Sequence, residues 1–321
     1  MATTELIAPP KRGRAKRAGA AKNGRSANQP VESHEIYDWF DPRQLTWRNV
    51  DWVVLIFMVS IHLGCLAAPF FFTWNALGLA LVAYYLTSSV GVCLGYHRYL
   101  SHNSLKLSKP AEFGVLLCSV ASGQGSPLMW TATHRLHHQR SDQDGDPHSP
   151  LEGKWWSHIL WLFVNHSPEQ RAVLYRRYVP DLVDRPMLKF FEKTYGWWLV
   201  VVGFSLLAVG GWPAVFWAFC VRMVFAYHST WFVNSATHLW GYRNYQTRDE
   251  SRNLWWVALL AFGEGWHNNH HAHPHVARAG HQWWEIDMTW WLIRALRAVG
   301  LATEVDDRIP LSESPEPVGT A

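Results

Sequence analysis

Between Val53 and Tyr96 the sequence has no Asp, Glu, Lys or Arg at all. A soluble domain rarely tolerates so long an uncharged stretch, because one face of each surface helix must meet water. Cysteine is almost as scarce. Cys65, Cys93, Cys118 and Cys220 lie far apart in apolar segments, with no C-x-x-C pair among them. That excludes a disulfide framework, a thiolate zinc site and a cysteine-held iron–sulfur cluster, and leaves each thiol as a small buried hydrophobe. Also missing are a nicotinamide or flavin fingerprint, a haem-binding domain and any repeat at solenoid spacing. Acid is nearly absent from the first 30 positions, where Lys11, Arg12, Arg14, Lys16, Arg17, Lys22 and Arg25 face only Glu5. No apolar run follows within those positions, so a secretory signal peptide is not expected.

What the chain has in abundance is tryptophan, 21 residues, and histidine, 18, in a length of 321. Its apolar blocks at 52–71 and 74–94 are each long enough to cross a hydrocarbon core of about 30 Å. A third block, 197–220, is interrupted at Gly210-Gly211-Trp212-Pro213, where Pro213 can open a further helix running to about Trp240. The expected fold is an all-α integral membrane protein: four transmembrane helices in two hairpins, near 52–71, 75–96, 195–210 and 213–240. Both hairpin turns lack charge, whereas 98–193 and the chain after Arg243 hold most remaining Lys and Arg. The positive-inside rule then places both termini and the middle region in the cytoplasm, with a bacterial cytoplasmic membrane as the expected location. Three parts follow: a disordered basic arm at 1–35, one domain at 36–305 and a disordered polar tail at 306–321. The arm suits anionic lipid headgroups or solvent; no structured module accompanies it, so nucleic acid is not an expected partner. Residues 112–129 read as one helix, cytoplasmic or re-entrant, at the bilayer surface, and 141–150 and 178–186 as loops. The Trp pairs 155–156, 255–256, 283–284 and 290–291 read as interfacial anchors.

The histidines are clustered. His97 and His102 bracket HRYLSH; His134, His137 and His138 form HRLHH; His267, His270 and His271 form HNNHH. On a helix, positions i, i+3 and i+4 share a face, so each H-x-x-H-H can aim three imidazoles at one point. The five-residue spacing of His97 and His102 suits a helix end better than an unbroken helix. His238 follows Asn234 by four residues, on one face near the cytoplasmic end of the last span. Neutral imidazole ligates iron, copper, zinc and nickel, and eight or nine such donors exceed what one tetrahedral zinc needs and suit two ions. Spacing alone does not choose the metal.

These boxes and their order resemble the membrane fatty acid desaturase family, of the Δ9 stearoyl-CoA desaturase type with its bacterial relatives. The likeness covers about residues 45–305 and includes DGDPHSP at 144–150, NSATHLWG at 234–241 and GEGWHNNHHAHP at 263–274. It implies four membrane helices under a cytoplasmic helical cap that carries a histidine-bound di-iron centre. The family's ligand pattern falls on His97, His102, His134, His137, His138, His238, His267, His270 and His271, with Asn234 at a position that reaches a metal through water. Gln124, Trp130 and Thr230 match positions that enclose the bend of the acyl tunnel. Tyr227 and Trp231 precede His238 on the Asn234 face and could line the same tunnel or simply pack in the core. The implied reaction is O2-dependent introduction of a cis double bond, at Δ9, into a saturated acyl chain. Two ferrous ions would be the cofactors, and a separate ferredoxin or cytochrome with its reductase would deliver the electrons.

The animal acyl-CoA enzymes place an Arg-Asp pair before the second box. Here Ala132 and Thr133 stand there, and Pro150-Leu151-Glu152-Gly153-Lys154 replaces a basic pair after the DPH motif. The carrier is therefore open between acyl-CoA and acyl-lipid. Two other readings remain: a hydroxylase using the same boxes, and a non-enzymatic membrane protein that binds or transports metal. Asp142, Asp144 and Asp146 alternate like a calcium loop, but Pro147 and Gly153 occupy its turn-glycine and bidentate-Glu positions. His62 is read as packed against a polar neighbour and Arg222 as an inter-helix or interfacial pair. His148, His273, His275 and His281 are read as supporting or surface residues.

Overall fold

A computed structural model describes residues 33–310, so residues 1–32 of the expected basic arm (1–35) and 311–321 of the expected tail (306–321) lie outside the described residues. The described residues form one unit. After the short α1 (Ser33–Asp38), helix α2 (Trp52–Ala67) starts where the Asp51 carboxylate accepts the Val54 N–H at 3.1 Å. A 3₁₀ turn at Ala68–Phe71 closes this first apolar rod. Helix α3 (Trp74–Tyr84) is capped in turn by the Thr73 hydroxyl on Ala76 N–H.

The helix does not stop near residue 96, as the sequence spacing implied. It widens into a π-helical stretch, Tyr85–Ser101, and carries the first histidine box on its last turn. The His102 N–H donates to the His97 carbonyl at 3.2 Å, five residues back. That is the π-type bond, and it lets residues five apart share a face within a continuous helix. Gly91 permits this wide stretch to lie against α4 (Lys109–Ala121), since a Cβ there would come 2.5 Å from the Cys118 carbonyl.

A single helix across 112–129 is also corrected. The chain breaks between α4 and α5 (Pro127–Arg140), where Gly123 and Gly125 take φ of 75° and 105°, backbone that glycine adopts without strain. Glu192 fixes the start of α5, accepting from Leu128 N–H (2.9 Å), the Ser126 hydroxyl (2.7 Å) and the Tyr175 hydroxyl (2.7 Å). Helices α6 (Lys154–His158) and α7 (Pro168–Tyr178) follow.

Helix α8 (Pro186–Ala214) begins nine residues before the expected 195. Gly211, at φ 62° and ψ −159°, breaks it inside the expected Gly-Gly-Trp-Pro turn. A second π stretch (Val215–Val221), α9 (Arg222–Ser235) and a 3₁₀ turn (Ala236–His238) complete a 53-residue apolar run that ends at His238 rather than 240. Straight, that run would be about 80 Å long, far beyond one hydrocarbon core. It instead folds back at Gly211, and Leu199 of α8 packs against the cluster of Met58, Ile61, Met223, Tyr227 and Trp231. Among the described residues, three stretches, Trp52–Phe71, Trp74–Ser101 and Pro186–His238, are long and apolar enough to cross a membrane. Helices α10 (Trp255–Leu260), α11 (His267–Ala272) and α12 (Met288–Ala298) close the fold. Its helical character is relieved by a two-residue antiparallel pair, β1 (Lys106–Leu107) with β2 (Ala302–Thr303). Asp306, at the start of the expected tail, is held by backbone bonds to Ala277 and Ser104.

Candidate metal centre

The nine sequence-predicted histidines meet in two groups. His97, His102, His134, His138 and His270 form one; His137, His238, His267 and His271 form the other. Within each group the chosen ring nitrogens all lie within 4.8 Å of one another. Nε2–Nε2 separations are 3.0 Å for His97–His270, 2.8 Å for His102–His134, 3.0 Å for His138–His270 and 3.1 Å for His238–His267. The two H-x-x-H-H boxes interleave. From α5 the i, i+4 pair His134 and His138 goes to the first group and His137 to the second; from α11 the pair His267 and His271 goes to the second and His270 to the first. Two helices, each with a two-plus-one division, thus build a double site. The π-helical end adds His97 and His102 to the first group, and the 3₁₀ turn after α9 adds His238 to the second.

Carboxylates hold the far nitrogens. Nδ1 of His137 lies 2.8 Å from Asp146, Nδ1 of His238 2.8 Å from Asp142, Nδ1 of His271 2.7 Å from Asp249 and Nδ1 of His97 2.7 Å from Glu264. Glu264 is itself bonded by the buried Arg98, which also spans to Asp287 at 3.0 Å. Asn253 Oδ1 accepts the N–H groups of Asn268 and Asn269, satisfying the first turn of α11. Burial, with neighbouring imidazoles, pushes His134, His138, His267 and His270 well below their ordinary range, and burial brings His271 down to about 4. Burial opposes ionisation of Asp146 and Asp249, yet their imidazole partners hold both well below the usual carboxylate range. The rings of His134, His138, His267, His270 and His271 are therefore neutral, whereas the Asp146 carboxylate raises the pKa of His137 against the effect of its burial. The Nε2 atoms of His137 and His271 are buried without any protein partner. Nine converging imidazoles, two with unpartnered inward nitrogens, fit two borderline transition-metal ions, iron among them.

One cavity of about 770 Å³ touches this centre at His134, His148 and Asn234. Gln124, Trp130 and Thr230, expected at the bend, line it, as do Tyr227 and Trp231, which were read as either tunnel wall or core and which also belong to the packed cluster with Met58 and Ile61. Gln124 Nε2 donates to Thr230 Oγ1 at 2.9 Å, and the Trp130 ring lies 5.0 Å from that of His134. Tyr227 stacks on Trp231 and donates its hydroxyl to the Gly123 carbonyl. A largely apolar cavity beside a histidine double site is suited to an alkyl chain.

The sequence model of the family described as fatty acid desaturase matches residues 72–303. The chain belongs to that family. This desaturase is 46% identical over 265 residues, 82% of its own chain and 90% of the other, to the sn-2 palmitoyl-lipid 9-desaturase of Nostoc sp. (strain 36). It is 45% identical over 262 residues (81% and 95%) to the sn-1 stearoyl-lipid 9-desaturase of Anabaena variabilis. It is also 45% identical over 275 residues (86% and 73%) to the chloroplastic palmitoyl-monogalactosyldiacylglycerol delta-7 desaturase of Arabidopsis thaliana. It is an oxidoreductase acting on an acyl chain.

The desaturase's orienting acids escaped the sequence reading. Asp142 and Asp146 were visible only as an alternating acidic run, whose middle member Asp144 is exposed. The available signal was their place just after HRLHH; for Glu264 it was a position three residues before His267. Asp249, Asp287 and Arg98 carried no signal at all. His148 stacks on His137 with centroids 4.3 Å apart and forms a small group with Asp146. His275 donates to the His102 carbonyl at 2.8 Å. His62 bonds the Met58 carbonyl and lies 3.3 Å from His228, which in turn meets His158. Arg222 is buried and donates to the carbonyls of Ala218 and Ala121, joining two helices.

Proposed function

We propose that the protein is an O2-dependent Δ9 acyl-lipid desaturase that sets a cis double bond in a saturated chain. The nine histidines would hold two iron ions, Asn234 would reach one through water, and a separate ferredoxin or cytochrome with its reductase would supply electrons. The observation that carries the reading is the largely apolar cavity that Gln124, Trp130 and Thr230 line and that also touches His134 and Asn234. Bound iron supplies the activation of O2 that removing hydrogen from an unactivated methylene demands. The chain's own residues do the rest. Trp130, Thr230 and Gln124 line the cavity beside His134, where they would exclude water and present one C–C bond to the centre. Asp146, Asp142, Asp249 and Glu264 keep the rings oriented through Nδ1. The lipid carrier is favoured over CoA by the named activities of two relatives, lipid 9-desaturases, and by Ala132 and Thr133 where the acyl-CoA type has Arg-Asp. The fold-back at Gly211 supports four membrane passes, and the Lys and Arg concentrated at 98–193 and after Arg243 support a cytoplasmic side for the termini and metal centre.

Expression in a desaturase-deficient bacterium, with mass spectrometry that locates double bonds, tests this. A cis-Δ9 monoene in the membrane lipids is the expected product. A hydroxylated chain would identify a hydroxylase, and an unchanged lipid profile alongside exchangeable metal would identify a metal-binding protein.

A further inference from the structure

We infer that the seam between α2 and α8 is a lateral entry for the acyl chain of a glycerolipid lying in the bilayer, so that the chain is laid in sideways rather than threaded end-on. This rests on the acyl-lipid reading above. The cavity's walls are drawn from both helices: Val53, Val54, Phe57 and Met58 of α2, and Gly196, Leu199, Val200, Gly203, Phe204 and Leu207 of α8. The α8 positions recur at three and four residues, a continuous stripe on one face. Yet α2 packs chiefly on Val215–Val221, and α8 on α4 and Val215–Val221.

Several of these lining residues also form the outer surface. Val53 is 79% exposed, Phe204 68% and Val200 44%. Val53 at the start of α2 and Phe204 and Val200 on α8 are uncovered on the outer face of the two helices as well as lining the cavity, which places its opening along this seam. The exposed groups are apolar and belong to stretches suited to a membrane, where the surrounding medium is alkyl chain. Glycine keeps the groove clear. A Cβ on Gly196 would meet nothing within 4 Å, and one on Gly203 only Phe219 Cε2 at 3.8 Å, so neither glycine is required by tight helix packing. The same space reaches His134 and Asn234, which ties the seam to the metal centre. A bilayer lipid could then reach the centre without its chain leaving an apolar medium.

Open-sided and closed-ended channels differ in whether the methyl end is enclosed. The test feeds the desaturase-deficient bacterium, carrying the full-length protein, with a straight saturated fatty acid or one ending in an ω-phenyl group. Products in the lipids are read by mass spectrometry. A lateral seam lets the phenyl end protrude into the bilayer, so both chains should gain the double bond within about threefold of each other. Exclusion of the ω-phenyl chain by about tenfold or more would overturn the proposal. A second arm fills the groove with Gly203→Phe, which should lower straight-chain product about tenfold. Gly78→Phe, on an exposed α3 position with nothing within 4 Å and outside the cavity, should leave it unchanged. Wild-type output from Gly203→Phe at equal protein level would also overturn it. Absence of straight-chain product from the wild-type protein would instead strike the acyl-lipid reading itself.

Discussion

An imidazole offers one nitrogen to a metal in a fixed direction only when its other nitrogen is engaged. In this desaturase Asp146, Asp142, Asp249 and Glu264 engage four of the nine rings. Replacing Asp249→Asn keeps the size of the group but removes the charge that favours Nδ1–H on His271. Such outer partners are worth about 10–100-fold in metal affinity, and competition against a chromophoric chelator should show a loss in that range with circular dichroism unchanged. Unaltered affinity would remove Asp249 from the centre's support. His238→Ala takes away one of the four nitrogens of the second group. Iron content should fall toward about one equivalent, because the site cannot be completed by another protein ligand, and desaturation should fall to background while the chain stays in the membrane. Asn234→Ala, outside both nitrogen groups, should keep the metal and lose turnover. Full product from the His238→Ala protein at matched expression would refute its role.

Among the elements, the π-helical stretch Tyr85–Ser101 has the clearest consequence. Its extra residue per turn brings His97 and His102 to one face without breaking the helix, and its width is accommodated by glycines against α4. Gly91→Ala would drive a methyl into the Cys118 carbonyl, a backbone atom that cannot swing aside. Overpacking of this kind costs about 1–3 kcal/mol, so a lowered melting temperature in detergent is expected. Gly114→Ala, also on the α4 segment but with nothing within 4 Å, should melt like the wild type and serves as the control. Equal melting for both variants would mean that the two helices separate easily.

For the whole molecule, the charge distribution and the Gly211 fold-back predict that Gln143 and the chain termini share the cytoplasmic side, with Asn75 opposite. Single cysteines at these exposed positions, in a background lacking the native four, should react with an impermeant maleimide in intact cells at Asn75 and only after permeabilisation at Gln143. The reverse pattern would invert the topology. Much of this desaturase was legible from its residues. Uncharged runs reveal membrane helices because no water-facing helix can lack polar groups, and i, i+3, i+4 histidines reveal shared faces because helix geometry is local. Gln124, Trp130 and Thr230 were placed by family resemblance and do line the cavity. Other features were not local. The break at Gly123 and Gly125 and the π-widening both answer to packing between α4 and its neighbours, where the Tyr96 and Tyr227 hydroxyls bond carbonyls of the break. Which histidine joins which group, and which of many acids backs it, depends on how α5, α11 and the end of α9 converge. Arg98 meets Asp287 across 189 residues, a separation over which no periodicity carries information. Short-range geometry is written in spacing, whereas long-range partners are chosen only when the chain closes on itself.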